Sequence, residues 1–338
     1  MSASIILGIE SSCDDTSAAI ISGSKILSNI AANQEIHNEY GGVVPELASR
    51  AHQQNIIPVV EKAFSKANIQ QNEICAIGFT RGPGLLGSLL VGTSFAKSLA
   101  MSLDVPLIEV NHLQAHILAH FIDDANPSPP TFPFLCLTVS GGHTMIVLVK
   151  DYFEMEIIGK TIDDAAGEAF DKIGKIFDLD YPAGPIIDKL AKEGNPDAFQ
   201  FNKPRMENYD YSFSGIKTSV LYFIQKEVRK NPNFIKENLN DLCASVQRSI
   251  IEILMNKLEK ASVDLNIKDV AIAGGVSANS ALRKAMEMNQ EKLGWNIFIP
   301  KFEYTTDNAA MIAIVAKLKY ERGEFTDIRT TATAKYDL

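Results

Sequence analysis

Short apolar runs alternate along this chain with polar, glycine-containing turns, and the same alternation occurs twice. Residues 5–9 are apolar, 10–15 polar and 16–21 apolar again; residues 134–137, 138–143 and 144–149 repeat that order. Apolar runs of this length between turn residues predict buried strands. Each triplet therefore predicts a β-hairpin, with Thr16 and Thr144 opening its second strand. A second correspondence follows. Asn68-Ile69 precedes a strand at 74–77, the loop Thr80-Arg81-Gly82-Pro83-Gly84 and a helix. Asn266-Ile267 likewise precedes a strand at 270–273, the loop Gly274-Gly275-Val276-Ser277 and a helix. Two units reading hairpin, helices, buried strand, Gly-rich turn and helix predict a duplicated α/β fold. The first domain is expected over 1–125 and the second over 131–307, separated by the stiff run Asn126-Pro127-Ser128-Pro129-Pro130. The final helix, from 308 to about 320, has an apolar stripe (Ala309, Ile312, Ala313, Ala316). Segment 308–338 is expected to return to the first domain, with Asp307 facing the histidines described below.

Composition narrows the class without naming a chemistry. The 338 residues suit two domains with real cores, and 46% hydrophobic with 22% charged residues is ordinary for a globular protein. Four scattered cysteines (Cys13, Cys75, Cys136, Cys243) point to a reducing compartment and to packing roles. No apolar stretch reads as a membrane span, and the first strand begins too early for a leader peptide, so a cytoplasmic protein without membrane contact is expected. A net charge of −9 offers polyanions no general attraction. One stretch leans basic: Lys203, Arg205, Lys217, Lys226, Arg229 and Lys230 against Glu207, Asp210 and Glu227. A solvated helix face is its default explanation.

The chemistry-bearing positions are few. In Asn111-His112-Leu113-Gln114-Ala115-His116 two histidines lie four residues apart, which stacks their imidazoles on one helix face within reach of a single divalent ion. A zinc protease would need Glu after the first histidine as general base; here it is Leu113. Asp307 reads equally as a helix N-cap and as a third ligand. His120 continues the series one turn on, near the same face, and is a poorer partner for a shared ion. Ser140-Gly141-Gly142-His143-Thr144 lies at a strand-to-strand turn, and Gly274-Gly275-Val276-Ser277-Ala278-Asn279 between a strand and a helix. Backbone N–H groups in such turns approach anionic oxygens closely. The pair of loops predicts a nucleotide in an interdomain cleft. The loop Arg81-Gly82-Pro83-Gly84-Leu85-Leu86-Gly87-Ser88 is not a Walker A loop, because no Gly-Lys-Ser/Thr follows. Asp164, Glu168, Asp171 and Lys175 share one helix face, opposite an apolar stripe of Ile162, Ala166, Phe170, Ile173 and Phe177. Beside a nucleotide the carboxylates of that face, and Asp188 one helix on, suit ribose hydroxyls. Asp14 and Asp15 occupy the first hairpin turn, where backbone capping competes with a metal-water or catalytic role.

These residues carry a resemblance. Gly8-Ile9-Glu10-Ser11-Ser12-Cys13-Asp14-Asp15-Thr16, Gly41-Gly42-Val43-Val44-Pro45-Glu46, Thr80 to Gly84, Asn111 to His116, Ser140 to Thr144 and Gly274 to Asn279 are similar to the TsaD family. This is the bacterial branch of the Kae/Qri/YgjD tRNA N6-adenosine threonylcarbamoyltransferases. The resemblance spans nearly the whole chain and implies an actin/Hsp70-like (ASKHA) two-domain fold. It implies transfer of a threonylcarbamoyl group from threonylcarbamoyl-AMP to N6 of the adenosine 3′ of the anticodon, in tRNAs reading codons that begin with A. By position, His112, His116 and Asp307 would hold one metal ion, iron or else zinc. Thr138, Val139, Ser140, Gly141, Gly142, Asp171, Gly184, Asp188 and Asn279 would hold the adenylate, and Asp14 would serve turnover. His120 has no place in that ligand set. A TsaB-like paralogue and a TsaE-like ATPase are the implied partners besides tRNA. An ATP-hydrolysing switch of the same fold and a small-molecule carbamoyltransferase are the alternatives, and a metalloprotease comes last.

Overall fold

In the computed structural model, which describes residues 4–32, 40, 42–204 and 206–338, the first hairpin forms as β1 (Ile5–Glu10) and β2 (Thr16–Ser22). Gly41 of the second motif and Arg205 of the basic stretch lie outside the described residues. β3 (Lys25–Ala32), β4 (Ala76–Gly82) and β5 (Leu107–Asn111) complete a five-stranded sheet in the order β3-β2-β1-β4-β5. The hairpin strands pair antiparallel and β1-β4-β5 pair parallel. The second hairpin is β6 (Phe134–Val139) and β7 (Thr144–Asp151); with β8 (Glu154–Lys160), β9 (Asp269–Ala273) and β10 (Asn296–Phe298) it forms a sheet ordered β10-β9-β6-β7-β8. The pattern of parallel and antiparallel pairing is the same in both sheets. The duplication legible in the sequence is thus a duplicated topology.

The chain divides into a unit of Met1–Pro130 with Pro300–Leu338 and a unit of Thr131–Ile299. Segment 300–307, expected with the second domain, belongs to the first: Lys301 Nζ and the Tyr304 hydroxyl both donate to Asp124, at 2.5 and 2.8 Å.

In the first unit, α1 (Pro45–Ala67) and α2 (Leu86–Leu103) cover one face of the sheet over a core including Leu7, Ile9, Ile20, Val60, Phe64, Ile77 and Phe79. By length and composition alone α2 is apolar enough to cross a membrane, contrary to the expectation of none, and it packs on β4 and α1. On the opposite face α9 (Ala309–Glu321) lies against β1, β2, β4 and β5. Its backbone approaches so closely that a Cβ on Gly8 would sit 2.6 Å from the Ala309 carbonyl oxygen and 2.7 Å from the Ala313 nitrogen.

The second unit packs α4 (Ala166–Ile176), α5 (Ala183–Ala191), α6 (Ser214–Val228) and α7 (Phe234–Leu265) around Phe170, Ile187, Tyr211, Phe213, Val246, Leu254 and Trp295; α8 (Ser280–Leu293) lies against α7. Asn68 and Asn266, matched by sequence, both end helices in the left-handed conformation (φ 55° and 52°). Asn tolerates that conformation and frees the chain to turn into the next strand.

Three local expectations change. The strand expected at 74–77 is β4, which begins at Ala76 and runs through Thr80-Arg81-Gly82, because pairing with β5 continues to Gly82 opposite Asn111. Asp164 precedes α4 rather than lying on it, where its carboxylate pairs with Lys172 at 2.7 Å. Ile162, expected in the core stripe, is 64% exposed. It lies four residues before the helix, so helical spacing does not apply to it.

Candidate functional site

α3 (His112–Leu118) begins where β5 ends, with Asn111 as the hinge. The Asn111 Oδ1 accepts from Leu113 N (2.8 Å) and Gln114 N (3.2 Å), an N-cap that turns strand into helix. Its Nδ2 donates to the carbonyls of Tyr336 (3.4 Å) and Asp337 (2.8 Å), so the C-terminal segment holds the cap in place. Asn308, not Asp307, caps α9: its Oδ1 accepts from Met311 N at 3.1 Å. Asp307 is thereby left to face the histidines.

Its Oδ1 lies 3.0 Å from His116 Nε2 and 3.5 Å from His112 Nε2. The imidazoles meet edge-on, with centroids 4.7 Å apart and planes at 89°. One ligand atom from each of the three residues falls within 4.8 Å of the others. Two imidazole nitrogens converging on one carboxylate oxygen form a donor set suited to zinc or ferrous iron. The Nδ1 of His116 is buried with no hydrogen-bond partner among the described residues, so its orientation is set from the Nε2 side. The residues present therefore fit a divalent metal ion. His120 stands apart: it is buried, and its Nδ1 lies 2.9 Å from Asn126 Nδ2.

The electrostatics match. Burial opposes a charge on His112, but Asp307 and then Glu10 hold its pKa well above the ordinary histidine value. Burial likewise opposes ionisation of Asp307, and the His112 charge outweighs it, holding Asp307 well below the usual carboxylate range. Asp14 and Asp15, both part-buried, occupy the β1–β2 turn. Burial, then the charges of Asp14, Asp307 and Glu10, push Asp15 up to about 7. The turn is held by His52, whose Nε2 lies 3.0 Å from the Cys13 carbonyl and whose Nδ1 lies 2.7 Å from the Thr16 hydroxyl. Since a carbonyl only accepts, Nε2 carries the proton and Nδ1 accepts from Thr16. Ser88 Oγ also donates to Cys13 O (2.9 Å), and Leu85 N donates to Ser12 O (2.7 Å). Burial, then Asp14, raises the Cys13 thiol far above the range of reactive thiols.

The positions expected to hold a nucleotide all belong to the second unit. Thr138 and Val139 are buried at the end of β6. In the following turn Ser140 Oγ accepts from Gly142 N and His143 N at 3.3 and 3.0 Å. A Cβ on Gly141 or Gly142 would meet nothing within 4 Å, so these glycines leave open space rather than relieve an internal clash. Gly167 N, in the first turn of α4, donates to Ser140 O (3.2 Å). Asp171 caps α5 by accepting from Ala183 N (2.8 Å); burial, partly offset by that bond, raises its pKa. At Gly184 a Cβ would make only ordinary contact, 3.9 Å from the Phe170 Cβ. Asp188 accepts from Ser280 N and Oγ (3.1 and 2.7 Å) at the start of α8, where Asn279 is the N-cap. Asn279 Nδ2 donates to Gln247 Oε1 (2.7 Å). Gly274 takes φ +84°, and a Cβ there would sit 2.5 Å from Val139 O, which requires glycine. Of the basic stretch, Lys203 pairs with Glu252 and Lys230 with Glu227; Lys217, Lys226 and Arg229 have no ion pair among the described residues.

Sequence patterns missed Glu10, Thr80 and His52 as parts of the site. Glu10 reads as the first residue of a polar turn, although β1 runs through it, and His52 lies in α1, 36 residues from Thr16. Neither has a local signal, because each partner comes from another element.

The family described as TsaD, tRNA N6-adenosine threonylcarbamoyltransferase, matches residues 25–314. The chain is 83% identical over 338 residues to the tRNA N6-adenosine threonylcarbamoyltransferase of Riemerella anatipestifer, covering all of this chain and 99% of that protein. It is 62% identical over 331 residues to the enzyme of the same name from Christiangramia forsetii, covering 98% and 97% of the two chains. In fold it is similar to the ROK hexokinase of Thermus thermophilus, at TM-score 0.53 and 13% identity over 94% of this chain and 100% of that one.

Proposed function

The chain belongs to the TsaD family of tRNA N6-adenosine threonylcarbamoyltransferases, and we propose that its two units divide that reaction between a metal centre and an adenylate site. The observation that carries this reading is the convergence of His112 Nε2, His116 Nε2 and Asp307 Oδ1. The fold is the actin-like two-domain fold, and the activity is modification of adenosine in tRNA.

The donor is threonylcarbamoyl-AMP. The open turn Ser140-Gly141-Gly142 offers the Gly141 N–H to its phosphate, since Ser140 N and Gly142 N already donate within the turn, and the carboxylates of Asp171 and Asp188 lie at helix starts from which they serve the ribose hydroxyls. A bound divalent ion, iron first and zinc as the alternative, supplies Lewis-acid polarisation of a carbonyl or phosphoryl oxygen. The N6 amine of the adenosine 3′ of the anticodon attacks the carbamoyl carbon, in tRNAs reading codons that begin with A. The bond to the phosphate oxygen breaks, AMP leaves with the electron pair, and the N6 proton passes to a carboxylate of the β1–β2 turn. Asp14 is the residue assigned to turnover. Asp15, beside it in the same turn, has its pKa raised by burial and then by Asp14, which suits it to accept a proton.

Lys217, Lys226 and Arg229 on and beside α6 are available to a polyanion such as tRNA. Exposed apolar side chains on α1 and α2 (Ile57, Leu86, Leu90, Met101) support docking of a TsaB-like paralogue there, with a TsaE-like ATPase as the further partner. The test is a reconstituted reaction with tRNA, threonylcarbamoyl-AMP and partners, read by nucleoside mass spectrometry. Asp307→Ala and His112→Ala are expected to abolish product while the protein stays folded. Full product from either variant would refute the assignment.

A further inference from the structure

We propose that Glu10 is a positioning residue of the metal centre: its carboxylate accepts the Nδ1–H of His112 and so fixes the imidazole with the Nε2 lone pair free for the ion. The inference rests on the metal reading above and concerns a residue outside the ligand set.

Glu10 ends β1 fully buried, at 0% exposure. Its Oε1 accepts from Ser12 N at 2.5 Å, and its Oε2 accepts from Thr80 Oγ1 at 2.6 Å. The same Oε2 lies 3.2 Å from His112 Nδ1. An ionised carboxylate only accepts, so the proton of this contact belongs to Nδ1. Glu10 faces the ring edge opposite Asp307, which is the geometry of an outer-shell carboxylate rather than of a ligand.

The contact decides between two tautomers because a competitor is present. Ser12 Oγ also lies 3.2 Å from His112 Nδ1, and a hydroxyl can donate as well as accept. Without the carboxylate, Ser12 can donate to Nδ1. The ring proton then moves to Nε2, where it points at Asp307 and blocks the metal position. Glu10 favours the neutral ring with its proton on Nδ1 over that tautomer. Its own place is rigid, since it pairs with Ser17 across the hairpin and is held by the Thr80 hydroxyl from β4.

Glu10→Gln is the decisive variant because it keeps the shape and reverses the donor. A Gln NH2 at the Oε1 position would face the Ser12 N–H, donor against donor. It is therefore placed at the Oε2 position, with the Thr80 hydroxyl turning to the Ile9 carbonyl 3.4 Å away. There the NH2 donates to Nδ1 and selects the wrong tautomer.

The experiment titrates zinc(II) into the metal-free full-length protein in competition with a chromophoric chelator, with circular dichroism as the check on folding. Glu10→Gln is expected to bind zinc roughly 10- to 100-fold more weakly, the usual loss when the outer-shell partner of a metal-bound histidine is removed. Thr80→Val, which removes only the hydroxyl steering Oε2, should lose affinity in the same direction; Ser12→Ala should not. In a His112→Ala background Glu10→Gln should have no further effect, whereas a purely structural role would add its full loss. Wild-type zinc affinity in both Glu10→Gln and Thr80→Val overturns the inference, as does an additive loss without His112. If Glu10→Gln does not fold, unchanged affinity in Thr80→Val alone overturns it. A wild-type protein that binds neither zinc(II) nor iron(II) overturns the metal reading itself.

Discussion

Replacing Asp15 by Asn should stabilise the metal-free protein, and only above mildly acidic pH. The carboxylate titrates near 7 in the fold against 3.8 as the ordinary value, mainly because of burial and then because Asp14, Asp307 and Glu10 repel its charge. Its folded pKa is thus raised above its unfolded one, so the fold favours the neutral acid. The penalty for ionising it is absent below about pH 4, grows as pH rises between the two values, and is complete above about pH 7. A shift from 3.8 to about 7 corresponds to ~4 kcal/mol at 1.36 kcal/mol per pKa unit. Solvent reaching the half-buried side chain screens part of this, leaving about 2 kcal/mol as the expected span. Urea denaturation of wild type and Asp15→Asn at pH 4, 6 and 8, both stripped of metal, measures it directly. The stability difference should be near zero at pH 4 and rise to about 2 kcal/mol in favour of the variant at pH 8. Saturating zinc should shrink the rise, because a cation at Asp307 removes one of the repelling charges. A difference that stays flat from pH 4 to 8, or a variant less stable at pH 8, would refute the electrostatic account of this turn.

Three other perturbations test separate links. Gly142→Ala should change stability by less than about 0.5 kcal/mol, since its Cβ meets only open space, yet weaken binding of threonylcarbamoyl-AMP measured by calorimetry. Gly8→Ala drives a Cβ into the backbone of α9 and should cost about 1–3 kcal/mol by thermal denaturation, with reduced zinc affinity because Asp307 precedes that helix. Leu90→Glu places a charge on the exposed apolar side of α2 and should lower co-purification with the TsaB-like partner while leaving the melting temperature unchanged.

What was legible in the sequence is whatever has a local cause. Repeated apolar runs and their turns gave both hairpins, and Asn68 and Asn266 marked equivalent helix ends because the left-handed cap is chosen by one residue. The spacing of His112 and His116 placed two imidazoles on one face of α3 for the same reason. That spacing left Asp307 undecided between cap and ligand, and only the structure resolved it, by giving the cap to Asn308. The extent of β4 depended on its pairing with β5, which helical or strand periodicity within 74–84 does not record. Glu10 and Ser12 meet His112 across 102 and 100 residues of chain, and Thr80 holds Glu10 from β4, so spacing along the chain does not announce these contacts. Tertiary structure decided these points because a buried charge is tolerated only where distant elements supply its hydrogen bonds, and those partners are chosen by packing rather than by sequence distance.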